Sequence, residues 1–448
     1  MICFLHGYLL EGSGSNLWTR SIIQSLCRAG HTIHLVCQEP HPERYDFIAE
    51  AHVYRMNGDV VTSFARAVPY AGRCIMHKPE LGDTLPVYVW DKYEEFARVV
   101  PMVDLPTAEI EAYLARNVDV VRRVVAENDI TVIQANHLVL MPVVAQRVGV
   151  PYVIMPHGSA LEYAVRPDAR FQAYARDALR AARLLLVSSD ELAERVRALF
   201  ADVLPEIREI RVGVDTASFH PVERARRPDN IEIAVRLLAD TPRSDDPDVK
   251  LPDPDAIAKL RAVDWVNGQT IIYVGRLIEE KGVHHLVDAM PEILARCPRA
   301  QLIVAGHGPL RERLAQTPST YFLGYLTHRE LSWIMPCCDV GVFPSLVKES
   351  GPMVFLEALS SGCFPIATYF AGAKNKIDTV APHLGEDARF MKLRVDRVAE
   401  DMVPAVTGAL AASDRHAQTL RRIAEEEYDW QPIAMKLART LEAVAGSR

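Results

Sequence analysis

Residues 339–367, DVGVFPSLVKESGPMVFLEALSSGCFPIA, carry the pattern that decides the fold of this chain. The apolar run DVGVF predicts a buried strand, and a polar loop follows it. Gly351 and Pro352 introduce a helix, because proline is tolerated in a first turn, where its missing N–H leaves no helical bond unmade. Met353 to Ser361 form that helix, and CFPIA predicts the next buried strand. The stretch is therefore a strand–helix–strand piece of a parallel sheet.

The same alternation runs along the rest of the chain. ICFL predicts a strand, a glycine-containing loop follows, and LWTRSIIQSLCRAG predicts a helix that Gly30 stops. Further strands are predicted at HTIHLVC, TVIQ, YVIM, RLLLVS, EIRVGV, TIIYV and AQLIVA. Helices at about 282–295, 309–316, 328–336 and 352–361 separate the later strands. This pattern is typical of α/β sheets covered on both faces.

The length of 448 residues predicts two domains, because one hydrophobic core rarely serves a chain of this size. We expect two Rossmann-like, doubly wound domains that face a central cleft, covering residues 1–221 and 269–427. Residues 222–268 are polar and proline-rich, and they predict a linker with an inserted helical piece. Its aspartates are interpreted as solvated linker charges rather than as metal ligands: Asp245, Asp246, Asp248, Asp253 and Asp255.

Composition excludes several classes of protein. A net charge of -8 argues against a nucleic-acid-binding protein, which normally carries a basic excess. The N-terminal run MICFLHGYLL is too short to span a bilayer and is interpreted as a strand rather than as a secretory leader. The 8 cysteines lack metal-ligand spacing and fit small buried side chains in a reducing compartment. We therefore expect a cytoplasmic protein without a metal site.

Cations and glycines follow the first strand pair of the second half. Arg276 and Lys281 come after the strand TIIYV, where the open α/β folds bind ligands, and they suit a bound diphosphate. The alternative is a solvated turn with two surface bases. Gly306 and Gly308 follow the strand AQLIVA and allow close approach of the backbone to a ligand, or simply a tight turn.

Two glutamates flank the start of the helix at 352–361. Free amides at that start can hold phosphate or sugar oxygens. Glu357 lies among apolar residues inside the helix and needs a polar partner, for which ribose or sugar hydroxyls are suitable. Glu349 lies in the loop ahead. In the first half, His157 follows the strand YVIM and is a candidate for hydrogen bonding a reacting sugar. His137, after TVIQ, has the same position relative to its strand.

These motifs together resemble the retaining glycosyltransferases of the GT-B fold, specifically the group called family 4. The resemblance spans most of the chain, and the order and spacing of the motifs carry it: GSGSN at 12–16, MPHGS at 155–159, VGVDTASFHP at 212–221, VGRLIEEKG at 274–282, AGHGP at 305–309, FLGYL at 322–326, ESGPMVFLEALSSGCFPI at 349–366 and YDWQPIA at 428–434.

The resemblance implies a role for each matching position. The loop containing Gly12, Gly14 and Ser15 approaches the donor diphosphate, which Arg276 and Lys281 bind. Glu357 holds the ribose, Glu349 lies by the transferred sugar, and His157 contacts that sugar. Further donor contacts are implied at Gly306, at Tyr325 and Leu326 for the base, and at Gly351, Pro352, Met353 and Val354. The C-terminal helix at 428–448 is implied to cross back onto the first domain, so that the cleft closes by a hinge motion.

The resemblance also implies a reaction. A hexose-type sugar moves from a nucleoside-diphosphate sugar, with a uridine-based donor favoured, to a glycan, lipid-linked or small-molecule hydroxyl. The anomeric configuration is retained, no metal or other cofactor takes part, and the leaving diphosphate accepts the proton of the acceptor. Val212 stands where the family often has asparagine, and Ser-Gly-Pro follows Glu349 where Gly-Phe-Gly is commoner. These departures leave the sugar open.

Three alternatives follow from the same residues. The GT-B fold also occurs in nucleotide-sugar 2-epimerases, although this set of motifs fits them poorly. A non-catalytic partner that binds a nucleotide sugar is the second alternative, and the intact Arg276, Lys281, Glu349 and Glu357 argue against it. Finally, Arg116, Arg122 and Arg123 could give peripheral contact with the inner face of a membrane, but the acidic overall balance favours a solvated helix face.

Overall fold

The computed structural model of the protein describes residues 1–88, 96–241, 251–349 and 351–446. The chain divides into two compact units, which we call the first and second domains. The first domain contains Met1–Val212 together with Trp430–Arg448, and the second contains Gly213–Asp429. The chain therefore passes between the domains twice, after Val212 and after Asp429.

Short runs of buried apolar residues build the central sheet of the first domain. In chain order the described strands are β1 (Ile2–Leu5), β2 (Thr32–Val36), β3 (Ile48–Tyr54), β4 (Val60–Ala65), β5 (Arg73–Pro79), β6 (Thr84–Val87), β7 (Arg98–Pro101), β8 (Val132–Asn136), β9 (Tyr152–Met155), β10 (Leu184–Val187) and β11 (Glu206–Glu209). The main sheet has the order β11-β10-β9-β8-β1-β2-β5-β3-β4, and β6 pairs with β7 separately. Only the β3–β4 pair is antiparallel among the described neighbours. The strand order reverses between β1 and β8, which marks a topological switch point.

Helices cover this sheet. They are α1 (Gly14–Arg28), α2 (Thr107–Glu127), α3 (Met141–Val148), α4 (Ala169–Ala181) and α5 (Asp190–Phe200). The side chain of Ser13 caps α1 by accepting the N–H of Asn16 at 3.3 Å. Ile22 and Leu26, one turn apart on α1, are fully buried.

The second domain has the architecture that its own strand pattern predicts. Its strands are β12 (Gln269–Val274), β13 (Ala300–Ala305), β14 (Thr320–Gly324), β15 (Val340–Phe343), β16 (Phe364–Thr368) and β17 (Lys392–Leu393). They form one parallel sheet in the order β14-β13-β12-β15-β16-β17, with the switch point between β12 and β15. Its helices are α6 (Arg227–Ala239), α7 (Ala256–Ala262), α8 (Val283–Arg296), α9 (Arg311–Leu314), α10 (His328–Ile334), α11 (Met353–Ser360), α12 (Ala371–Val380) and α13 (Val398–Tyr428).

The C-terminal helix α14 (Trp430–Gly446) returns to the first domain. It packs against α1 and β8. Ile433, Leu437 and Leu441 recur at intervals of four residues and are buried, so a single apolar stripe fixes the helix there. Two doubly wound α/β domains and a returning C-terminal helix are therefore the architecture of the chain.

The segment 222–268 differs from the predicted linker, because the structure builds it into the second domain. α6 packs against α10, and α7 packs against β14. Arg224 and Arg227 each place Nη2 2.8 Å from Oδ1 of Asp339, whose side chain is only 2% exposed. These arginines are 115 and 112 residues away from Asp339 in the chain. Local composition could not reveal such a distant partner.

The aspartates of this segment also need a correction. The Asp253 carboxylate lies 2.6 Å from Nη2 of Arg311 and 3.3 Å from Nζ of Lys259, so it is a paired group rather than a solvated charge. Asp255 is more exposed and lies 2.7 Å from Lys259. Asp245, Asp246 and Asp248 lie outside the described residues.

Replacing Asp339 by alanine is expected to lower the free energy of unfolding by about 3–5 kcal/mol, because Arg227 would be left buried without its counter-charge. Asp339 also accepts the backbone N–H of Thr270 at 2.8 Å, which ties β12 to the same carboxylate. Urea denaturation measures the effect. The matched control is Arg226→Ala, whose partner Asp229 is exposed, and we expect it to change stability by less than about 0.5 kcal/mol. Equal stability of the two variants would contradict the role of Asp339.

The arginines of α2 that could contact a membrane, Arg116, Arg122 and Arg123, make contacts inside the domain. Arg116 is half-buried and donates to the backbone oxygens of Glu80 and Tyr54. Arg122 donates to the oxygen of Arg147, and Arg123 pairs with Glu127 at 2.7 Å. None of the described helices combines the length and apolar character needed to cross a bilayer.

Candidate active site

The switch point of the second domain brings two sequence-predicted groups together. Parallel α/β sheets leave a crevice where neighbouring strands send their crossovers to opposite faces, and here β12 and β15 are those strands. Arg276 and Lys281 follow β12, and Glu349 follows β15. Nζ of Lys281 lies 2.8 Å from Oε1 of Glu349. The predicted cation and carboxylate therefore form one ion pair at this edge.

Backbone contacts hold the two loops together. The N–H of Leu346 donates to the oxygen of Glu280 at 2.8 Å, and the N–H of Gly372 donates to the oxygen of Glu349 at 2.9 Å. Gly282 has φ +67, and a Cβ there would lie 2.1 Å from the oxygen of Pro344. Only glycine combines that backbone conformation with such a close approach. The Lys281–Glu349 pair is thus carried by a fixed loop arrangement.

Arg276 and the glycine loop after β13 lie at the same carboxyl edge. Arg276 is exposed and pairs with no carboxylate among the described residues. Gly306 has φ +147, and a Cβ at this position would lie 1.9 Å from the oxygen of Gly275. The turn after β13 therefore packs directly on the turn that carries Arg276. An unpaired guanidinium beside this closely packed backbone is suited to an anionic ligand.

The start of α11 offers backbone donors. Gly351 precedes Pro352, which occupies the N-cap position and gives no side-chain cap. Met353 and Val354 form the first turn and are half-buried. The N–H groups of a first helical turn have no partner within their helix, and the helix dipole adds partial positive charge there. The N–H groups at this end of α11 can donate hydrogen bonds to phosphate or sugar oxygens.

Glu357 is a buried carboxylate, and only one of its two oxygens has a partner among the described residues. Its side chain is 2% exposed, and Oε1 lies 2.8 Å from Nε2 of His328. Oε2 has no hydrogen-bond partner among the described residues. A buried carboxylate oxygen without a partner is costly, so a ligand hydroxyl that donates to it would bind favourably.

Sequence reasoning missed His328. The residue opens α10, whose start is marked by a capping box between Thr327 and Glu330. That signal locates the helix, but it does not indicate that the first side chain reaches Glu357 on another helix. The pairing depends on β14 and β15 standing in one sheet, which no local pattern encodes.

We expect Glu357→Gln to weaken nucleotide binding by about tenfold or more while leaving the protein as stable as before or more so. The substitution removes the charged acceptor that we expect to bind a ribose hydroxyl, and it also removes a buried charge with only one described partner. Calorimetric titration with UDP and thermal melting test both parts. His328→Gln is the matched control, because it keeps a donor toward Glu357, and its effect should be smaller. A drop in both binding and melting temperature would indicate a structural role for Glu357 instead.

The loop after β14 carries the two positions implied to face a base. Gly324 ends the strand, the Tyr325 side chain is 37% exposed, and Leu326 is 6% exposed. The ring of Tyr325 lies nearly parallel to that of His307, with centroids 6.5 Å apart. This loop leads directly into α10 and His328.

The first domain places three histidine rings at the carboxyl ends of its strands. His6, His137 and His157 follow β1, β8 and β9. The ring centroid of His137 lies 5.6 Å from that of His6 and 5.2 Å from that of His157. His6 is held by a network, since its Nε2 faces the acceptors Leu9 O and Asn16 Oδ1 at 3.0 and 2.9 Å. That nitrogen therefore carries the proton.

His137 and His157 have polar atoms without partners. Neither ring nitrogen of His137, nor Nε2 of His157, has a hydrogen-bond partner in the part of the chain that the structure describes. His137 also has φ +68, a strained conformation for a residue with a Cβ. Burial lowers the pKa of His157 to about 3 and that of His6 to about 4, and it holds the pKa of His137 well below its ordinary value. Neutral imidazoles that can each donate and accept suit a ligand rich in hydroxyl groups.

The predicted loop Gly12, Gly14 and Ser15 lies at the N-terminal end of α1. Gly12 has φ +94 and no atom near its missing Cβ, so its conformation rather than close packing requires glycine. Gly14 begins the helix, and Oγ of Ser15 lies 2.9 Å from Oγ of Ser13. This loop shares the carboxyl edge of β1 with His6 and is suited to an anion.

Two domain families match the chain. The "Glycosyl transferase 4-like domain" matches residues 13–208, and "Glycosyl transferases group 1" matches residues 268–401, so that most of both domains is covered. Two doubly wound domains, with charged groups at the switch point of the second, define the class of this protein as a nucleotide-binding α/β protein. The chain belongs to the GT-B glycosyltransferases.

Similar proteins differ in what their names describe. A glycogen synthase of Mycobacterium tuberculosis is 26% identical over 275 residues, which cover 59% of this chain and 55% of the relative. A phosphatidyl-myo-inositol mannosyltransferase of the same organism is 27% identical over 208 residues, or 44% of this chain and 53% of the relative. The chain thus spans about half the length of these curated relatives. The solved structure of Anabaena HepE with UDP-glucose aligns with a TM-score of 0.59 at 16% identity, over 99% of both chains, and shows the shared fold.

Proposed function

We propose that this protein transfers a hexose-type sugar from a nucleoside-diphosphate sugar, preferably a UDP-sugar, to an acceptor hydroxyl with retention of configuration. The observation that carries the proposal is the edge of the second-domain sheet. There Arg276, the Lys281–Glu349 pair and Glu357 follow neighbouring strands at one switch point. Among the described residues Arg276 pairs with no carboxylate and one oxygen of Glu357 has no partner. Membership of the glycosyltransferase families supports the same activity.

Each group has a chemical task in this proposal. Arg276 and the ammonium of Lys281 bind the diphosphate, and Lys281 keeps further N–H donors after pairing with Glu349. The N–H groups that begin α11 and the carboxylate of Glu349 bind the transferred sugar. The free Oε2 of Glu357 accepts a ribose hydroxyl. His157 and the Gly12–Ser15 loop are proposed as the first-domain contacts to the donor.

The proposed reaction exchanges one bond at the anomeric carbon and moves one proton. The bond from the anomeric carbon to the diphosphate oxygen breaks, and its electron pair leaves with the diphosphate. The acceptor oxygen bonds to the anomeric carbon on the same face, and its proton passes to the departing oxygen. Arg276 and Lys281 stabilise the charge that develops there, which is the contribution a metal ion would otherwise make. We therefore propose a metal-independent reaction.

The uridine preference and the acceptor class are the finer parts of the proposal. HepE was crystallised with UDP-glucose, while the named relatives act on glycogen and on phosphatidyl-myo-inositol. A carbohydrate or lipid-linked hydroxyl in the cytoplasm is the acceptor that we propose. Peripheral contact with a membrane would serve a lipid-linked acceptor.

The test begins with the donor. Thermal melting with UDP-, GDP- and ADP-sugars should show the largest shift with UDP-sugars, since a ligand at a hundred times its dissociation constant adds about 2.7 kcal/mol to stability. The preferred donor is then incubated with a panel of glycan and lipid-linked acceptors. NMR spectroscopy should show a product with the anomeric configuration of the donor, formed equally well with EDTA.

Each other outcome has a defined meaning. An inverted product would contradict the mechanism, and loss of activity in EDTA would contradict metal independence. Conversion of the nucleotide sugar to an epimer without an acceptor would indicate an epimerase. Donor binding without transfer or hydrolysis across the whole panel would indicate a non-catalytic binding protein.

A further inference from the structure

Residues 251–253, in the segment between α6 and α7, run beside the end of β14. Pro252 pairs with Gly324 in an antiparallel bridge. The N–H of Asp253 donates to the oxygen of Leu323 at 2.8 Å, and the N–H of Tyr325 donates to the oxygen of Leu251 at 3.0 Å. Because β14 is an edge strand, residues 251–253 extend the sheet beyond it. We call Leu251–Asp253 the clip.

Side chains fix the clip from three directions. Nε2 of His307 donates to the oxygen of Leu251 at 2.6 Å. Arg311 and Lys259 pair with the carboxylate of Asp253 at 2.6 and 3.3 Å, and Nζ of Lys259 also donates to the oxygen of Phe322 at 2.7 Å. These contacts come from the loop after β13 and from α9, α7 and β14. The clip is therefore a built feature of the second domain.

The backbone at the contact leaves no spare room. Gly324 has φ +74, and a Cβ on it would lie 2.3 Å from the nitrogen of Asp253. A side chain at position 324 would displace the clip. Glycine at the end of β14 thus serves the approach of this segment.

The clip lies at the nucleoside end of the proposed donor site. Glu357, the proposed ribose anchor, is held by His328, which follows Leu326 by two residues. A base is joined directly to its ribose, so the loop 325–327 is within its reach. The N–H of Tyr325 is already donated to Leu251, which leaves that loop with one donor fewer for a base.

We propose that the clip selects the base of the donor, an inference that rests on the proposed function. Its backbone fills the space beside the end of β14, so a one-ring pyrimidine fits against Tyr325 and Leu326 while the second ring of a purine meets Leu251 and Pro252. Specificity of this kind arises by excluding the competitor as much as by binding the substrate. Asp253 is then a specificity-determining residue that acts by holding the clip in place.

Calorimetric titration of the whole protein with UDP, GDP and inorganic pyrophosphate tests the proposal. We expect the wild type to bind UDP at least about tenfold more tightly than GDP. In Asp253→Ala the ratio should fall to about threefold or less, while affinity for pyrophosphate, which has no base, stays unchanged. Arg311→Gln loosens the other half of the anchor and should shift the ratio in the same direction.

Glu232→Ala is the matched control, because it removes an exposed pair with Arg261 in the same segment that does not involve the clip, and it should leave the ratio unaltered. Wild-type protein that binds UDP and GDP equally would overturn the clip proposal alone. An unchanged ratio in both folded variants, verified by thermal melting, would do the same. If the wild type binds no nucleotide, the proposed function itself fails.

Discussion

Replacing Lys281 by alanine is expected to lower kcat/KM for glycosyl transfer by about 10²- to 10³-fold while the fold stays intact. The ammonium would stabilise the departing diphosphate, and its loss is felt most in the transition state. Lys281 is only partly buried, so its removal leaves no large cavity. Steady-state kinetics with the preferred donor and thermal melting of the same preparation measure the two effects.

Glu349→Ala should lose activity to a similar extent, and the double variant should lose far less than the product of the two single losses. Residues that act as one unit are strongly non-additive. Lys374→Ala is a matched control, since Lys374 pairs with Asp378 at 2.8 Å, the same distance as Lys281 and Glu349, but on the exposed surface of α12. Fully additive losses, or wild-type turnover in Lys281→Ala, would remove both residues from the proposed site.

The first domain is expected to lose stability steeply as the pH falls below about 6.5, because several of its histidines are buried in the neutral form. Burial lowers the pKa of His6 and His34 to about 4 and that of His77 and His157 to about 3, and it holds that of His137 well below 6.5. Folded histidines with lowered pKa values stay neutral, whereas the unfolded chain takes up protons below 6.5. Stability is therefore complete above pH 6.5 and is lost between 6.5 and the folded values near 3–4.

The expected size is large. One pH unit below the unfolded pKa, each such histidine costs about 1.4 kcal/mol, so five together cost up to about 7 kcal/mol, which is comparable with the whole stability of a domain. Urea denaturation at pH 7.5, 6.5 and 5.5, followed by near-ultraviolet circular dichroism, measures the slope. The second domain should respond less.

Single variants separate the contributions. Both ring nitrogens of His77 are hydrogen-bonded: Nδ1 lies 3.0 Å from the hydroxyl of Tyr54, and Nε2 lies 3.0 Å from Nδ1 of His34. His77→Asn should reduce the loss of stability with falling pH by about the contribution of one buried histidine. His41→Gln is the control, because His41 is exposed. A pH slope that does not change in His77→Asn would contradict the assignment.

Several features of the fold could be predicted because they rest on short-range chemistry. Alternating apolar runs and helices predict parallel sheets, and glycine or proline marks the turns. Arg276 and Lys281 follow a predicted strand end, where ligands of parallel sheets gather, and the resemblance to family 4 adds Glu349 to the same donor site. The structure places Lys281 and Glu349 in contact across the switch point. Their catalytic roles remain predictions.

The pattern failed where partners are distant or strands are partly exposed. No strand was predicted at β3 or β4. Neither strand is buried along its whole length, and apolar and polar residues alternate little in β4. The strand expected at EIRVGV lies earlier, at Glu206–Glu209. The segment 222–268 has the composition of a linker, yet Arg224 and Arg227 fasten it to Asp339.

The α/β class and the charged residues at strand ends follow from the sequence alone, because each depends on neighbours within one turn or one strand. The division into two domains follows from the length of the chain. The contact of His328 with Glu357 and the position of the clip against Gly324, held by Asp253, depend on the tertiary structure. Those contacts join residues far apart in the chain, and their energy comes from packing and charge pairing that no local pattern records.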